Sequence, residues 1–195
     1  MARVGGVARP RQFDEDQAVD AAVRMFWQRG YEDTSTSDLC EATGLGRGSI
    51  YNTFNSKQEL FDKALDRYTA DRAAELAELS GREGAVREKV RALFDSVLQD
   101  EFLGDGCLVT NTLIELAPKD PAIAAKLRTD YDRRVLVVRN MLEAAQRGGE
   151  IAPEASAEEL AHLVLGTVTS IRVMARGGHD RSTLEALATA TLRAL

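Results

Sequence analysis

The chain has 195 residues, 44% hydrophobic and 29% charged, enough apolar material for a folded core, which excludes global disorder. A formal charge of −6 argues against a general polyanion coat, which is usually basic, and leaves room for a focused basic surface. Cys40, Cys107, His162 and His179 are all the cysteines and histidines in the chain, too few for a disulfide framework or a clustered zinc site. No apolar run approaches the roughly 20 residues of a membrane helix.

Arg3, Arg9 and Arg11 open the chain with no acid among them. Residues 1–12 therefore read as a flexible basic arm, either a solubilising tail or a contact to a polyanion. No apolar h-region accompanies these arginines, so no secretion signal is read and the expected compartment is the cytoplasm.

Ala, Leu, Glu and Arg dominate, proline is scarce, and no period-2 alternation is sustained, so helices are expected throughout. The first should run from about Asp14, as N-cap, to Arg29, with Val19, Ala22, Val23 and Phe26 on one apolar face and Gly30 as stop. Ser35 and Asp38 have capping-box spacing for a short second helix ending near Thr43. A third should span Arg47 to Phe54. Ser56, with Glu59 three residues on, caps a long fourth from Lys57 towards Leu79.

Beyond Gly81 and Gly84 the pattern predicts a helix over 85–102 and a turn at residues 103–106. A short apolar helix over 107–116 follows, ended by Pro118. Asp120-Pro121 opens a long helix to Arg147, with proline at its first position. Ser156 caps another to Arg176, and Ser182 begins the last. The expected fold is all-α. A three-helix domain over 13–56 precedes a domain of about six helices over 57–195.

Residues 35–54 carry the chemistry. They read as helix, glycine turn (Gly44-Leu45-Gly46), helix, which is the spacing of a helix-turn-helix. Leu39, Ala42, Leu45 and Ile50 can lock the pair. Arg47, Ser49, Tyr51, Asn52 and Thr53 then line an outer face with donors and acceptors. Such a helix can enter a major groove N-terminus first. Arg47 suits guanine O6 and N7, and Asn52 suits adenine. Gly44, Gly46 and Gly48 before Ser49 also resemble a phosphate loop, but no strand precedes them and the P-loop lysine is missing.

The run Gly30-Tyr31, Thr34-Ser35-Thr36, Leu39-Cys40, Ala42, Gly44 to Tyr51, Phe54, Ser56-Lys57 and Leu60 resembles the tetracycline-repressor (TetR/AcrR) family of bacterial regulators. The likeness covers about residues 13–65. It is most specific in Ile50-Tyr51-x-x-Phe54-x-x-Lys57, and Gly106-Cys107-Leu108 with Asn111 and Glu115 resembles one branch of the family. The resemblance implies that Arg47, Gly48 and Ser49 approach bases and that Tyr51 contacts a phosphate. Asn52 and Thr53 would tune sequence choice or bind phosphate, and Lys57 would pack on the DNA backbone. Many members carry Ser or Thr where this chain has Gly46, so the third helix lacks a capping oxygen.

The resemblance further implies a homodimer on a palindromic double-stranded DNA operator and a small-molecule effector in the second domain. No cofactor, catalytic centre or membrane partner is expected. Stripes on the last two helices (Leu160, Leu163, Val164, Thr167, Val168, Ile171, Met174, then Leu184, Leu187, Ala188, Thr191, Leu195) suit a dimer or the monomer core. Gly166 and Ala175 are small enough for close helix approach. Candidate effector-lining residues are Phe94, Leu98, Cys107, Asn111, Tyr131, Val138, Met141 and Thr167, each with plain core packing as the alternative. Cys107, expected in a first helical turn, reads either as a small buried hydrophobe or as a thiolate sensor opposed by Asp105. The rival class is a helical-bundle carrier or enzyme with no DNA role.

Overall fold

The computed structural model of the chain describes residues 12–195. Arg3, Arg9 and Arg11 lie outside the described residues. Among the described residues every regular element is helical, and none is long and apolar enough to cross a membrane. The chain divides into two compact units, one ending at Arg67 and one comprising Tyr68–Leu195. The sequence pattern places the boundary at Ser56. The first unit takes in the opening turns of the fourth helix as well.

The first unit holds α1 (Gln12–Arg29), α2 (Thr36–Thr43), α3 (Arg47–Phe54) and the start of α4 (Lys57–Gly81). Helix α1 begins before Asp14, which therefore lies inside the first turn and is not its cap. Val19, Ala22 and Phe26 are buried as the periodicity requires, and Trp27 joins them. Phe26 meets Phe61 edge-on at 5.0 Å, and Tyr31 meets Phe61 at 4.9 Å, so an aromatic cluster ties α4 to α1. Across the outer side of the same pair, Lys63 donates to Glu15 at 3.0 Å. Arg67 forks onto Asp16 at 2.6 Å and Asp20 at 3.1 Å. The Glu15 hydrogen bond, aided by its charge, raises the Lys63 pKa.

The second unit comprises the rest of α4, then α5 (Val86–Leu98), α6 (Leu108–Glu115), α7 (Pro121–Arg147), α8 (Ala157–Arg176) and α9 (Arg181–Ala194). Helix α8 packs on α5, α7 and α9, and α6 packs on α7. The core is their shared apolar filling, with Val90, Val138, Leu142, Ala161, Val164 and Ile171 fully enclosed.

Helix α5 stops at Leu98, well short of the predicted residue 102. Asp100 is the reason. Its carboxylate accepts from the Phe102 amide at 3.0 Å, a local bond that competes with another helical turn. The same carboxylate pairs with Arg172 of α8 at 3.0 Å, with side-chain exposures of only 10% and 5%. A 3₁₀ turn, Leu103–Asp105, follows and packs on α8. The cap of α9 also differs from expectation. Asp180, not Ser182, accepts the Thr183 amide at 2.8 Å, and the Ser182 hydroxyl donates to Asp180.

Candidate functional site

The first unit builds the helix-turn-helix from strong local signals. Ser35 caps α2, its hydroxyl oxygen accepting from the Asp38 amide at 3.1 Å while Asp38 accepts from the Ser35 amide at 2.8 Å. The Ser35 hydroxyl, donating to the Asp38 carboxylate at 2.6 Å, and the Ser35 amide, aided by Arg29 at 2.8 Å, lower the Asp38 pKa. Gly44 ends α2 with φ of 68°, a left-handed conformation that suits glycine. Gly46 then opens α3 in extended backbone and, as expected, offers no side-chain cap.

Helix α3 separates its faces sharply. Ile50 and Phe54 are 1% and 0% exposed, and Leu39 of α2 is fully buried with them. Arg47, Gly48, Ser49, Tyr51, Asn52 and Thr53 are all exposed. The Arg47 guanidinium lies 5.8 Å from the centre of the Tyr51 ring. The Tyr51 hydroxyl sits 3.3 Å from the Thr36 hydroxyl. That bond, with help from Arg47, lowers the Tyr51 pKa. The phenol is thus aimed along the surface and not into the core.

Lys57 begins α4 half-buried. Its ammonium lies 4.3 Å from the centre of the Tyr31 ring and donates to the Glu32 carbonyl at 3.4 Å. Ser56 caps the same helix by accepting the Glu59 amide at 3.0 Å. A cation at a capped helix start suits an anion. The Tyr31 platform was not legible in the sequence, because residues 31 and 57 meet only through the fold.

The second unit encloses a cavity of about 580 Å³, within the usual range for small-molecule sites. Of the eight residues predicted to line it, Cys107 and Tyr131 do so. Phe94, Leu98, Val138 and Met141 are instead buried in the helix core. Thr167 turns away, its hydroxyl 2.7 Å from that of Thr191 and donating to the Leu163 carbonyl. Asn111 is not on the wall either, and its amide donates to the Asp105 carbonyl at 3.4 Å.

The missed lining residues include both leucines and charged side chains. Tyr68 and Arg72 come from α4, Arg128 and Arg134 from α7, and Arg172 from α8. An arginine on a helix reads as solvent-facing, and the Asp100 carboxylate helps make burial of Arg172 tolerable. Arg172 also donates to the Gly106 carbonyl at 3.2 Å. Desolvation there opposes the charge, yet its electrostatic partners and the Asp100 bond keep the pKa raised. Burial pushes the Tyr68 phenol far up, so it is a neutral donor, with its oxygen 3.7 Å from the Cys107 sulfur. Cys107 is the extended N-cap of α6, not a residue of its first turn. Its thiol is free and half-buried. Among the described residues no group of His, Cys, Asp and Glu could hold a metal ion.

Comparison with known proteins agrees with both units. The family model for bacterial regulatory proteins of the tetR family matches residues 18–64. The model for the tetracyclin repressor-like C-terminal domain matches residues 92–191. The HTH-type transcriptional repressor ComR of Escherichia coli is 33% identical over 95% of this chain and 90% of its own. The HTH-type transcriptional repressor DhaR of a Mycobacterium species is 24% identical over 91% and 89%. A cysteine mutant of the TetR family regulator CifR, solved in complex with a 26-bp operator DNA, superimposes with a TM-score of 0.83. Its identity is 30%, covering 95% of this chain and 99% of that one. With the spacing of the helix-turn-helix, the split faces of α3 and both family models in agreement, the chain belongs to the tetR family of bacterial transcriptional regulators.

Proposed function

We propose that the protein is a dimeric repressor that a small molecule releases from a palindromic operator. The observation that carries this is the division of α3. Its apolar side chains anchor it fully, while Arg47, Ser49, Tyr51, Asn52 and Thr53 all face solvent beside one another. In this reading Arg47, Gly48 and Ser49 approach base edges. Tyr51 and Lys57 hold phosphates, and Asn52 and Thr53 adjust sequence choice. Two such helices in a dimer read half-sites about 34–36 Å apart, one turn of DNA.

The dimer reading is supported by helix α8, where Leu163 and Val173 stay 41% and 49% exposed beside a buried stripe. The effector reading is supported by the cavity. Helix α4 runs unbroken from Lys57 to residues of the cavity wall, Tyr68, Thr69 and Arg72 among them. By linkage, operator must weaken effector binding by the factor with which effector weakens operator binding.

The test is fluorescence anisotropy on the promoter region beside the protein's own gene, across a salt series, followed by selection of bound genomic fragments. Specific binding that Tyr51→Ala and Lys57→Ala both weaken is expected. The lysine change should also flatten the salt slope by about one. No enriched fragment in the selection would overturn the repressor reading and leave a ligand-binding bundle without a DNA role.

A further inference from the structure

Taking the second-unit cavity as the effector site, we propose that its ligand is a hydrophobic monocarboxylate, its acid group seated on Arg72 and Arg172 and its apolar body on the leucines beyond. The proposal rests first on charge. The chain as a whole carries −6, yet the cavity wall carries Arg72, Arg128, Arg134 and Arg172 against only Glu75 and Asp130. Asp100, outside the lining, offsets one arginine and leaves a single positive charge in excess. With Glu75 turned to solvent, Arg72 and Arg172 carry that excess against Asp100, which suits a monoanion.

The excess is unevenly spread. Arg134 is matched by Asp130 within α7 at 2.9 Å, and Arg128 is exposed. Arg72 and Arg172 instead converge on one carboxylate, Asp100, at 3.8 and 3.0 Å. The other acid on Arg72 is Glu75 at 3.1 Å, whose side chain is 59% exposed. A solvated pair of this kind contributes little, so an incoming carboxylate can take its place on Arg72. A charge-assisted hydrogen bond formed in a water-poor cavity is stronger than the one it replaces. Tyr68, 3% exposed and held neutral by burial on the same wall, donates to the Cys107 sulfur at 3.7 Å, a weak bond that a carboxylate oxygen can replace.

The rest of the wall determines the body of the ligand. Leu76, Leu79, Leu93, Leu127, Leu165 and Val168 line it. A small hydrophilic anion leaves that surface uncovered, so affinity requires a chain or ring of several carbons.

Isothermal titration calorimetry on the full chain tests this with matched probes. Sodium decanoate is compared with decan-1-ol and decyltrimethylammonium, and 4-phenylbutyrate with 4-phenylbutan-1-ol. At least one acid should bind about tenfold tighter than its alcohol, and the ammonium should not bind. Arg72, with a side chain 35% exposed, can be changed without burying a bare charge. Arg72→Gln should erase the preference for the acid while alcohol binding persists, and Arg72→Lys should restore part of it. Circular dichroism melts of each variant report the fold. Alcohols that match their acids, an Arg72→Gln variant that keeps the preference, or no binding of any probe would each overturn the proposal. Operator binding by the unliganded chain is a separate curve that none of these outcomes moves. Failure of the ligand class and failure of the regulator reading are therefore distinguished.

Discussion

The Asp100–Arg172 pair offers the sharpest test of how the second unit is held. Arg172→Met keeps most of the side-chain volume and removes the charge. Asp100 is then left 90% buried, since its side chain is only 10% exposed. It keeps the Phe102 amide at 3.0 Å and a looser contact to Arg72 at 3.8 Å. Breaking one side of a buried pair costs about 3–5 kcal/mol. The residual Arg72 contact places this case near the lower end, about 3 kcal/mol. The lost bond from Arg172 to the Gly106 carbonyl, 3.2 Å, works in the same direction. At roughly 2–4 °C per kcal/mol for a chain of this size, the melting midpoint should fall by about 6–12 °C. The double variant Asp100→Asn with Arg172→Met removes the orphaned charge and should recover at least about 1 kcal/mol. Urea and thermal melts followed by circular dichroism measure both. A single variant within about 1 kcal/mol of wild type, or a double variant no better than the single, refutes the view that this buried pair holds the second unit together.

Smaller changes probe the other unit. Ser35→Ala removes the capping oxygen of α2 and should cost about 1 kcal/mol in a urea melt. Because the Asp38 pKa is lowered by its Ser35 bonds, its contribution is complete above the ordinary carboxylate value. It is lost as pH falls through the lowered one, so the wild-type advantage over Ser35→Ala should shrink only in strong acid. Gly46→Ser supplies the missing cap on α3 at a position with extended backbone and open space around a Cβ. It should raise stability by a few tenths of a kcal/mol. Gly166→Ala in α8 also meets nothing within 4 Å. It should stabilise an isolated chain by up to about 1 kcal/mol, and a loss of dimer by sedimentation would show instead that a partner helix crosses there.

The helix order and most ends of the helices were legible in the sequence, because they are set by local chemistry. The Ser35–Asp38 box, the Gly44 turn, the Asp120-Pro121 start and the Ser156 cap each satisfy backbone groups within a few residues. The exposed face of α3 was legible for the same reason. Once Ile50 and Phe54 are inward, the helical period turns Ser49 and Asn52 outward, with Tyr51 and Thr53 at the flanks.

What tertiary structure alone decided is where the polar side chains of the second unit go. The sequence left Phe94, Leu98, Val138 and Met141 between cavity lining and core, and packing places them in the core, since close-packed neighbours stabilise an apolar side chain more than an empty wall does. The wall fell instead to residues such as Tyr68, Arg72 and Arg172, which periodicity reads as surface. Arg172 is buried only because Asp100, distant in sequence, arrives 3.0 Å away. Asp100 in turn ends its own helix four residues early. No local window contains both partners, and the cost of burying either alone makes their meeting a property of the fold.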